Sequence, residues 1–459
     1  MGKKFQSRIE SDSLGRVRVP DSALYGAQTQ RAVNNFNISD LRFPASYIQS
    51  LALIKKAAAR VNGELGILDS ERSRAIQFAA SRILAGKHLD QFPVDIFQSG
   101  SGTSTNMNMN EVLANLCKRE WQIDVHPNDH VNMGQSSNDV IPTAIQITCV
   151  QQVREQLLPS IKQLIEAIDQ RAAPLNYIAK TGRTHLMDAM PITLGQEMSA
   201  WSEQLRASRL AIDDFIDSMT ELAQGGTAIG SGINTHPEFA DKFAAAISDH
   251  TDQDYTASEN FFRSISSQDL SVALSGHLKV LAVCLNKICS DLRWMNSGPL
   301  SGLGEIELEP LQPGSSIMPG KVNPVIPEAV SMACAQVIGN DATVTTAGLS
   351  GNFQLNTMLP VIAYNLLQSI ELMQNACTHL AELAIRRFTI KFENIKKPLA
   401  ANPILVTALN PKIGYEAAAE IAKAAYASGR PILDVALEHT DLSREELEEL
   451  LNPLNLTNV

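Results

Sequence analysis

The 459-residue chain carries 38 Lys and Arg against 49 Asp and Glu, a formal net charge of −11 at pH 7. Hydrophobic residues make up 44% and charged residues 19%, the balance of a folded globular protein and not of a disordered one. The acidic balance excludes the basic stripe that a nucleic acid or an anionic membrane surface requires.

Aromatics are only 5%, which favours packed helices over a β-sandwich. Six cysteines (117, 149, 284, 289, 334 and 377) show no CxxC pair, no zinc-type His spacing and no iron–sulfur pattern. They read as small apolar core residues in a reducing compartment, and neither metal nor cofactor is expected. The start, Met1 to Ser7, is polar and lacks the apolar stretch of a secretory signal. Gln6 stands where myristoylation needs Ser or Thr. No uninterrupted apolar run reaches membrane-spanning length. The expectation is a soluble, cytoplasmic protein.

Residues 1–142 read as mixed. Helical patterns such as 47–66 alternate with polar loops, notably 99–110 and 126–139. The first loop, Ser99-Gly-Ser-Gly-Thr-Ser-Thr-Asn-Met-Asn-Met-Asn110, combines glycines with hydroxyl and amide donors. Thr105 stands where a dinucleotide fingerprint needs its third Gly, so a helix cap or a ligand loop remain the two readings. The second contains His126 and His130 without a third ligand, and then Gln135-Ser-Ser-Asn-Asp139. Two loop histidines are more often hydrogen-bonded than metallated.

From 143 to 392 the texture becomes long-helical. Leu270, Leu274, Leu278, Leu281, Leu285, Ile288 and Leu292 step by three and four. A second stripe runs Leu194, Met198, Trp201, Leu205, then Ile212, Phe215, Met219 and Leu222, with small Ser208 between its halves. A third runs Leu366, Ile370, Met373, Cys377 and Leu380. Val272, Val280 and Val283 lie off the first stripe, so that helix needs burial on more than one side. A bundle packed against other subunits satisfies this, as does a monomeric bundle with a thick core. Lys180-Thr-Gly-Arg-Thr-His-Leu-Met-Asp-Ala-Met-Pro191 puts Thr184 and His185 just before a long helix.

Gly314-Ser-Ser-Ile-Met-Pro-Gly-Lys-Val-Asn-Pro324 differs from a Walker A loop in its spacing and in Val322 after the Lys. It reads as a Gly- and Pro-bounded loop between helices, either a closing loop or a plain connection. Residues 393–459 form a small helical segment, with Gly414 and Tyr415 opening an Ala-rich helix. Ser443 and Glu446 are spaced as a capping box.

The 314–324 segment resembles the signature of the fumarase/aspartase superfamily, Gly-Ser-x-x-Met-Pro-x-Lys-x-Asn-Pro, at every fixed position. Ser101-Gly-Thr103, His126 to Asp129, Ser136-Ser-Asn138, Gly182-Arg-Thr-His185, Tyr25 to Gln30 and Val406 to Asn410 resemble the family's other motifs. His185 and Gly320 match class II fumarases where aspartases typically carry Gln and Ala. The resemblance implies a mainly α, three-domain fold (1–142, 143–392, 393–459) whose long central bundle assembles into a tetrameric 20-helix core. It implies the reversible, metal-independent hydration of fumarate to L-malate in the tricarboxylic acid cycle, with three subunits contributing to each site. Ser315 would then be the base, and His185, held by Glu328, would handle the water. The substrate would be held by Ser101, Gly102, Thr103, Ser136, Ser137, Asn138, Thr184, Ser316, Lys321, Val322 and Asn323. A second anion site would lie at His126, Pro127, Asn128 and Asp129. Ile123 stands where relatives carry a basic residue near that site, and Ala257-Ser-Glu-Asn-Phe-Phe262 departs from the family's Ala-Pro-Asn-Lys-Phe. An ammonia-lyase and a structural protein reusing the lyase fold are the rival readings.

Overall fold

The computed structural model describes residues 6–457. Residues 1–5, part of the segment read above for targeting signals, lie outside the described residues. The chain opens with an antiparallel hairpin, β1 (Ser7–Asp12) and β2 (Gly15–Pro20), in register from Ser7↔Pro20 to Asp12↔Gly15. Helices α1 (Ala27–Asn35), α2 (Ala45–Glu64), α3 (Ser70–Leu84), α4 (Thr103–Trp121), α5 (Ser137–Gln152) and α6 (Leu158–Ala172) follow. A second hairpin, β3 (Ala179–Thr184) and β4 (Met187–Thr193), leads into α7 (Leu194–Ile216). Then come α8 (Phe239–Thr251), α9 (Phe261–Ser266), α10 (Asp269–Met295), α11 (Val325–Gly348) and α12 (Leu359–Leu380). The chain closes with α13 (Phe392–Ala400), α14 (Asn410–Ile413), α15 (Tyr415–Ser428), α16 (Ile432–His439) and α17 (Arg444–Leu450).

Two compact units result, each drawn from three stretches of chain. Unit 1 takes Met1–Leu158, Ala211–Lys279 and Gln336–Leu372. Its central element is α5, where every residue from Asp139 to Val150 is buried, as an all-round enclosed helix requires. Helix α2 packs against α3, α5 and α8. Its Tyr47, Ile48, Leu51 and Ile54 are essentially inaccessible, each stabilising the fold by about 1.5–3 kcal/mol. Gly63 permits the α2–α3 approach, because a Cβ there would lie 2.6 Å from Ser73 Oγ. Helix α1 has Gly26 as its cap residue and no side-chain cap of its own. Glu111 of α4 serves instead, accepting from the backbone N–H groups of Gly26 (2.8 Å), Gln28 (2.9 Å) and Thr29 (3.1 Å).

The segment read as a loop over 99–110 is a loop only as far as Gly102. Residues 103–110 form the first two turns of α4. Their low helix propensity is offset by tertiary bonds: Asn108 Nδ2 donates to Gln91 O, and Asn106 and Asn110 donate to Asn132 Oδ1. Met107 and Met109 fill the core between them.

Unit 2 takes Pro159–Leu210, Val280–Ala335 and Met373–Val459. The parts of the expected stripes that fall here form its core: Leu194, Met198, Trp201, Leu205, Leu281, Leu285, Ile288, Leu292, Met373, Cys377 and Leu380 are fully buried. The rest of each stripe belongs to unit 1, where Phe215 and Leu270 are only half-buried. The C-terminal helices have their own cluster, built on Leu405, Leu409, Ile421, Val435 and Leu447. Gly414 caps α15, and Ser443 with Glu446 closes the expected capping box on α17. All six cysteines are buried and free.

Two differences from the sequence reading have clear causes. The second stripe ends as a helix at Ile216, and Glu221–Leu222 instead pairs with Thr256–Ala257 as short strands. Helix α10 is long and apolar enough, by length and composition, to cross a membrane. Its Ser275 and Lys279 nevertheless bond Asp341 at 2.9 and 2.6 Å, the pairing of a helix packed in protein.

Candidate active site

In unit 1 the polar residues singled out from sequence gather at two helix N-termini. Gly102, the cap of α4, has φ +71°, and a Cβ there would lie 2.8 Å from Ile141 Cγ1, so only glycine fits without strain. Ser101 Oγ and Thr103 Oγ1 share a hydrogen bond of 2.7 Å, and Thr103 Oγ1 and Ser137 Oγ one of 2.6 Å. Ser136 caps α5, its Oγ accepting from Asn138 N at 3.2 Å. Asn138 Nδ2 donates to Ala228 O at 2.8 Å. Ser101, Thr103 and Ser137 thus form one chain of hydroxyls at the N-termini of α4 and α5. Neutral donors at helix N-termini suit an anion in an acidic protein.

The His126–Asp129 segment is a separate feature, the opening of a π-helical turn, Pro127–Val131. His126, Asn128 and Asp129 are exposed. His126 Nδ1 accepts from Asp129 N at 3.1 Å, and His126 N donates to His130 Nδ1 at 2.9 Å. Burial holds the His130 imidazole below its ordinary value. These histidines are engaged with the backbone, and among the described residues no group of three or more His, Cys, Asp or Glu could hold a metal.

In unit 2 Thr184 and His185 stand at the exposed tip of the β3–β4 hairpin, not on a helix approach. The pairing Thr184↔Met187 leaves a two-residue turn, His185-Leu186, with φ +56° and +62°. A turn with both central residues left-handed normally takes Asn-Gly. Placing His and Leu there stores strain on the order of 1–3 kcal/mol per residue. A buried ion cluster anchors the hairpin. Lys180 Nζ lies 2.6 Å from both Glu197 and Glu305, and Arg183 lies 2.8 Å from Glu305. The Lys180 and Glu305 side chains are 1% and 3% exposed. Sequence reasoning did not single out this cluster.

The 314–324 loop is bonded across its base. Gly314 N donates to Lys321 O at 2.9 Å, and Asn323 Nδ2 to Gly314 O at 2.6 Å. A Cβ on Gly314 would lie 2.2 Å from Lys321 O, which forces glycine. Half-buried Ser315 turns its Oγ onto two backbone donors, Ile317 N at 3.2 Å and Met318 N at 3.0 Å. Two N–H groups on one hydroxyl oxygen favour negative charge there. Ser316, Lys321 and Val322 are exposed. Lys321, Val322, Asn323 and Glu328, the last in the first turn of α11, line one cavity of about 500 Å³. Arg293, at the end of α10, lines it too, a cation the sequence reading passed over. No hydrogen bond within the chain joins His185 to Glu328 among the described residues.

Residues 15–339 match the family model described as lyase, and residues 405–458 match that of the fumarase C C-terminus. A Pseudomonas aeruginosa protein named fumarate hydratase class II 2 is 55% identical over 451 residues, covering 98% of each chain. A Xylella fastidiosa fumarate hydratase class II is 53% identical, covering 100% of this chain and 97% of its own. The crystal structure of the Schistosoma mansoni class II fumarase superimposes with a TM-score of 0.95 at 35% identity, covering 98% of this chain and 99% of its own.

Proposed function

Because this chain belongs to the class II fumarate hydratase family, we propose that Ser315 is the base of its reaction, the reversible hydration of fumarate to L-malate. It is a metal-independent lyase that adds or removes water across a carbon–carbon double bond, a step of the tricarboxylic acid cycle.

Dehydration of malate removes a very weakly acidic proton beside a carboxylate and expels hydroxide from the neighbouring carbon. The carbanion is delocalised into that carboxylate as an aci-carboxylate with two negative charges. Three things are needed: a strong base, a proton donor for the leaving oxygen, and fixed positive density at the carboxylate. The observation that carries the base assignment is the Ser315 Oγ, which receives two backbone N–H groups and so is stabilised as an alkoxide. His185, oriented by Glu328, delivers the proton to the departing oxygen through water. Lys321 and Asn323, which share a cavity with Glu328, take the carboxylate on which charge develops. Ser101, Gly102, Thr103, Ser136, Ser137, Asn138, Thr184, Ser316 and Val322 hold the rest of the dianion by neutral contacts. The His126–Asp129 turn is a second anion site.

The same reading includes a cytoplasmic homotetramer in which three subunits complete each site, and a three-segment organisation of 1–142, 143–392 and 393–459. Supporting the assembly, Val280 and Val283 on α10 and Met332 on α11 are 53%, 57% and 67% exposed in the single chain. Burial of such residues drives association of helical cores.

Ultraviolet absorbance with purified protein and L-malate, in chelator, tests the reading. A steady rise from fumarate's conjugated double bond, absent with L-aspartate, is expected. Fumarate from aspartate alone would move the chain to the ammonia-lyases, and silence with both would reopen the structural-protein reading.

A further inference from the structure

Beside the hydroxyl chain of unit 1 lies a set of buried charged and amide side chains that the reaction does not use. Lys55, on α2, has no exposed surface and forms no direct ion pair among the described residues. It donates to Asn132 Oδ1 and Gln135 Oε1, both at 3.0 Å. Asn132 Oδ1 also accepts from Asn106 Nδ2 and Asn110 Nδ2 of α4, each at 3.1 Å. Asn132 Nδ2 donates to Gln135 O at 3.1 Å. One amide oxygen therefore ties α2, α4 and the segment that runs into Ser136.

On the far side of that segment stands Asp139, also without exposed surface. Its Oδ1 accepts from Ser136 N at 2.9 Å and closes the capping box of α5. Its Oδ2 accepts from Gln224 Nε2 (3.0 Å), Gly225 N (3.1 Å) and Thr227 N (2.9 Å). Asn138 reaches the same loop through Ala228 O. Ser136, Ser137 and Asn138 are thus bracketed by a buried amine before them, whose pKa burial pushes down, and a buried carboxyl group after them, whose pKa burial pushes up.

Stability alone does not explain this arrangement. A buried ammonium bonded only to neutral amides carries a desolvation penalty that an apolar side chain of similar length avoids. Short hydroxyl and amide donors, in contrast, work only when held to within about 0.5 Å of the productive geometry. The bonds of Lys55 and Asp139 supply that constraint from both ends.

We propose that Lys55, acting through Asn132 and Gln135, and Asp139 are positioning residues that hold Ser137 and Asn138 for a substrate carboxylate. The proposal rests on the assignment of those two residues as substrate contacts. Its role is geometric: neither Lys55 nor Asp139 touches the reacting atoms.

The experiment compares full-length Lys55→Met with Ser137→Ala and wild type. Readouts are KM and kcat for fumarate, inhibition by succinate (a dicarboxylate without the double bond), and melting temperature. Lys55→Met is expected to raise KM and the succinate inhibition constant about tenfold, the effect of losing roughly one well-placed hydrogen bond. Its melting temperature stays close to that of wild type, because the desolvation cost of the buried amine is removed while Gln135 Oε1 loses its donor. A merely structural role would lower the melting temperature and leave KM alone, and a wild-type KM in Lys55→Met overturns the proposal. Asn132→Leu, which removes the shared acceptor, is expected to raise KM further. If it does not fold, Lys55→Met decides. An unchanged KM in Ser137→Ala overturns the underlying assignment and the proposal with it. A raised KM there beside a normal Lys55→Met overturns the proposal alone.

Discussion

Replacing Ser315 with Ala removes one oxygen from the centre of the proposed chemistry. That oxygen accepts from Ile317 N and Met318 N at 3.2 and 3.0 Å. A hydrogen bond to an ionised acceptor contributes about 1.5–3 kcal/mol, roughly twice one to a neutral oxygen, so the pair favours alkoxide over alcohol by about 1.5–3 kcal/mol. General-base catalysis is typically worth about 10²–10⁴-fold, or roughly 2.7–5.4 kcal/mol of barrier, so these two bonds account for the lower end of that range. We expect kcat for malate dehydration to fall by about 10²–10⁴ with little change in KM, because the group acts on the proton and not on binding. The two N–H groups lie in an exposed loop, where water replaces their partner, so the melting temperature should hold. The assay is fumarate absorbance under saturating malate. Turnover within roughly threefold of wild type would remove Ser315 from the base role.

Other expectations test other parts of the molecule. Glu305→Gln strips the buried Lys180 and the nearby Arg183 of a shared carboxylate while leaving Lys180 its Glu197, and should destabilise the protein by about 1.5–3 kcal/mol in denaturant unfolding; unchanged stability would mean that the cluster is not closed to water. Acid should act through Asp12 and Asp95. A hydrogen bond from Arg31 holds the Asp12 carboxyl below its ordinary 3.8. Burial raises that of Asp95, but N–H bonds from Phe97, Ser39 and Ile38 outweigh it and hold the group lower. The unfolded chain therefore binds these protons more readily than the folded one, so their stabilisation is complete above the ordinary value and is lost as pH falls through the depressed values. Melting temperature should hold down to about pH 4 and drop below it, and a level or rising trend at lower pH would contradict the assignment. Dialysis against a chelator should leave turnover unchanged, whereas a loss restored by a divalent cation would overturn the metal-independent mechanism.

The long helices were legible because a step of three and four leaves a mark that packing preserves. Leu274, Leu278, Leu281, Leu285, Ile288 and Leu292 are all fully buried. The β3–β4 hairpin left no such mark. Its strands do not alternate cleanly, and His185-Leu186 is not a sequence that announces a left-handed turn. Helix α4 began inside a segment read as loop because Asn106, Asn108 and Asn110 owe their helical state to partners distant in the chain. The loop residues Ser315, Lys321 and Asn323 were visible through a family signature, whereas the bonds that shape the loop were not. Lys180 and Glu305 meet across 125 residues, and no local pattern could pair them. Lys55 offered one faint signal, a cation embedded among apolar positions of α2.

The interleaving of the chain also has a consequence for its birth. Unit 1 takes its last stretch from Gln336–Leu372, and until that stretch has been made Ser275 and Lys279 have no Asp341, and Gly100 O has no Leu359 N. At about 5–20 residues per second, a ribosome needs on the order of 10–40 s to travel from Leu158 to Leu372. Through that interval the nascent chain holds most of a hydrophobic core that it cannot close. That exposed apolar surface is open to aggregation for as long as the order of synthesis keeps it so, however stable the finished enzyme is.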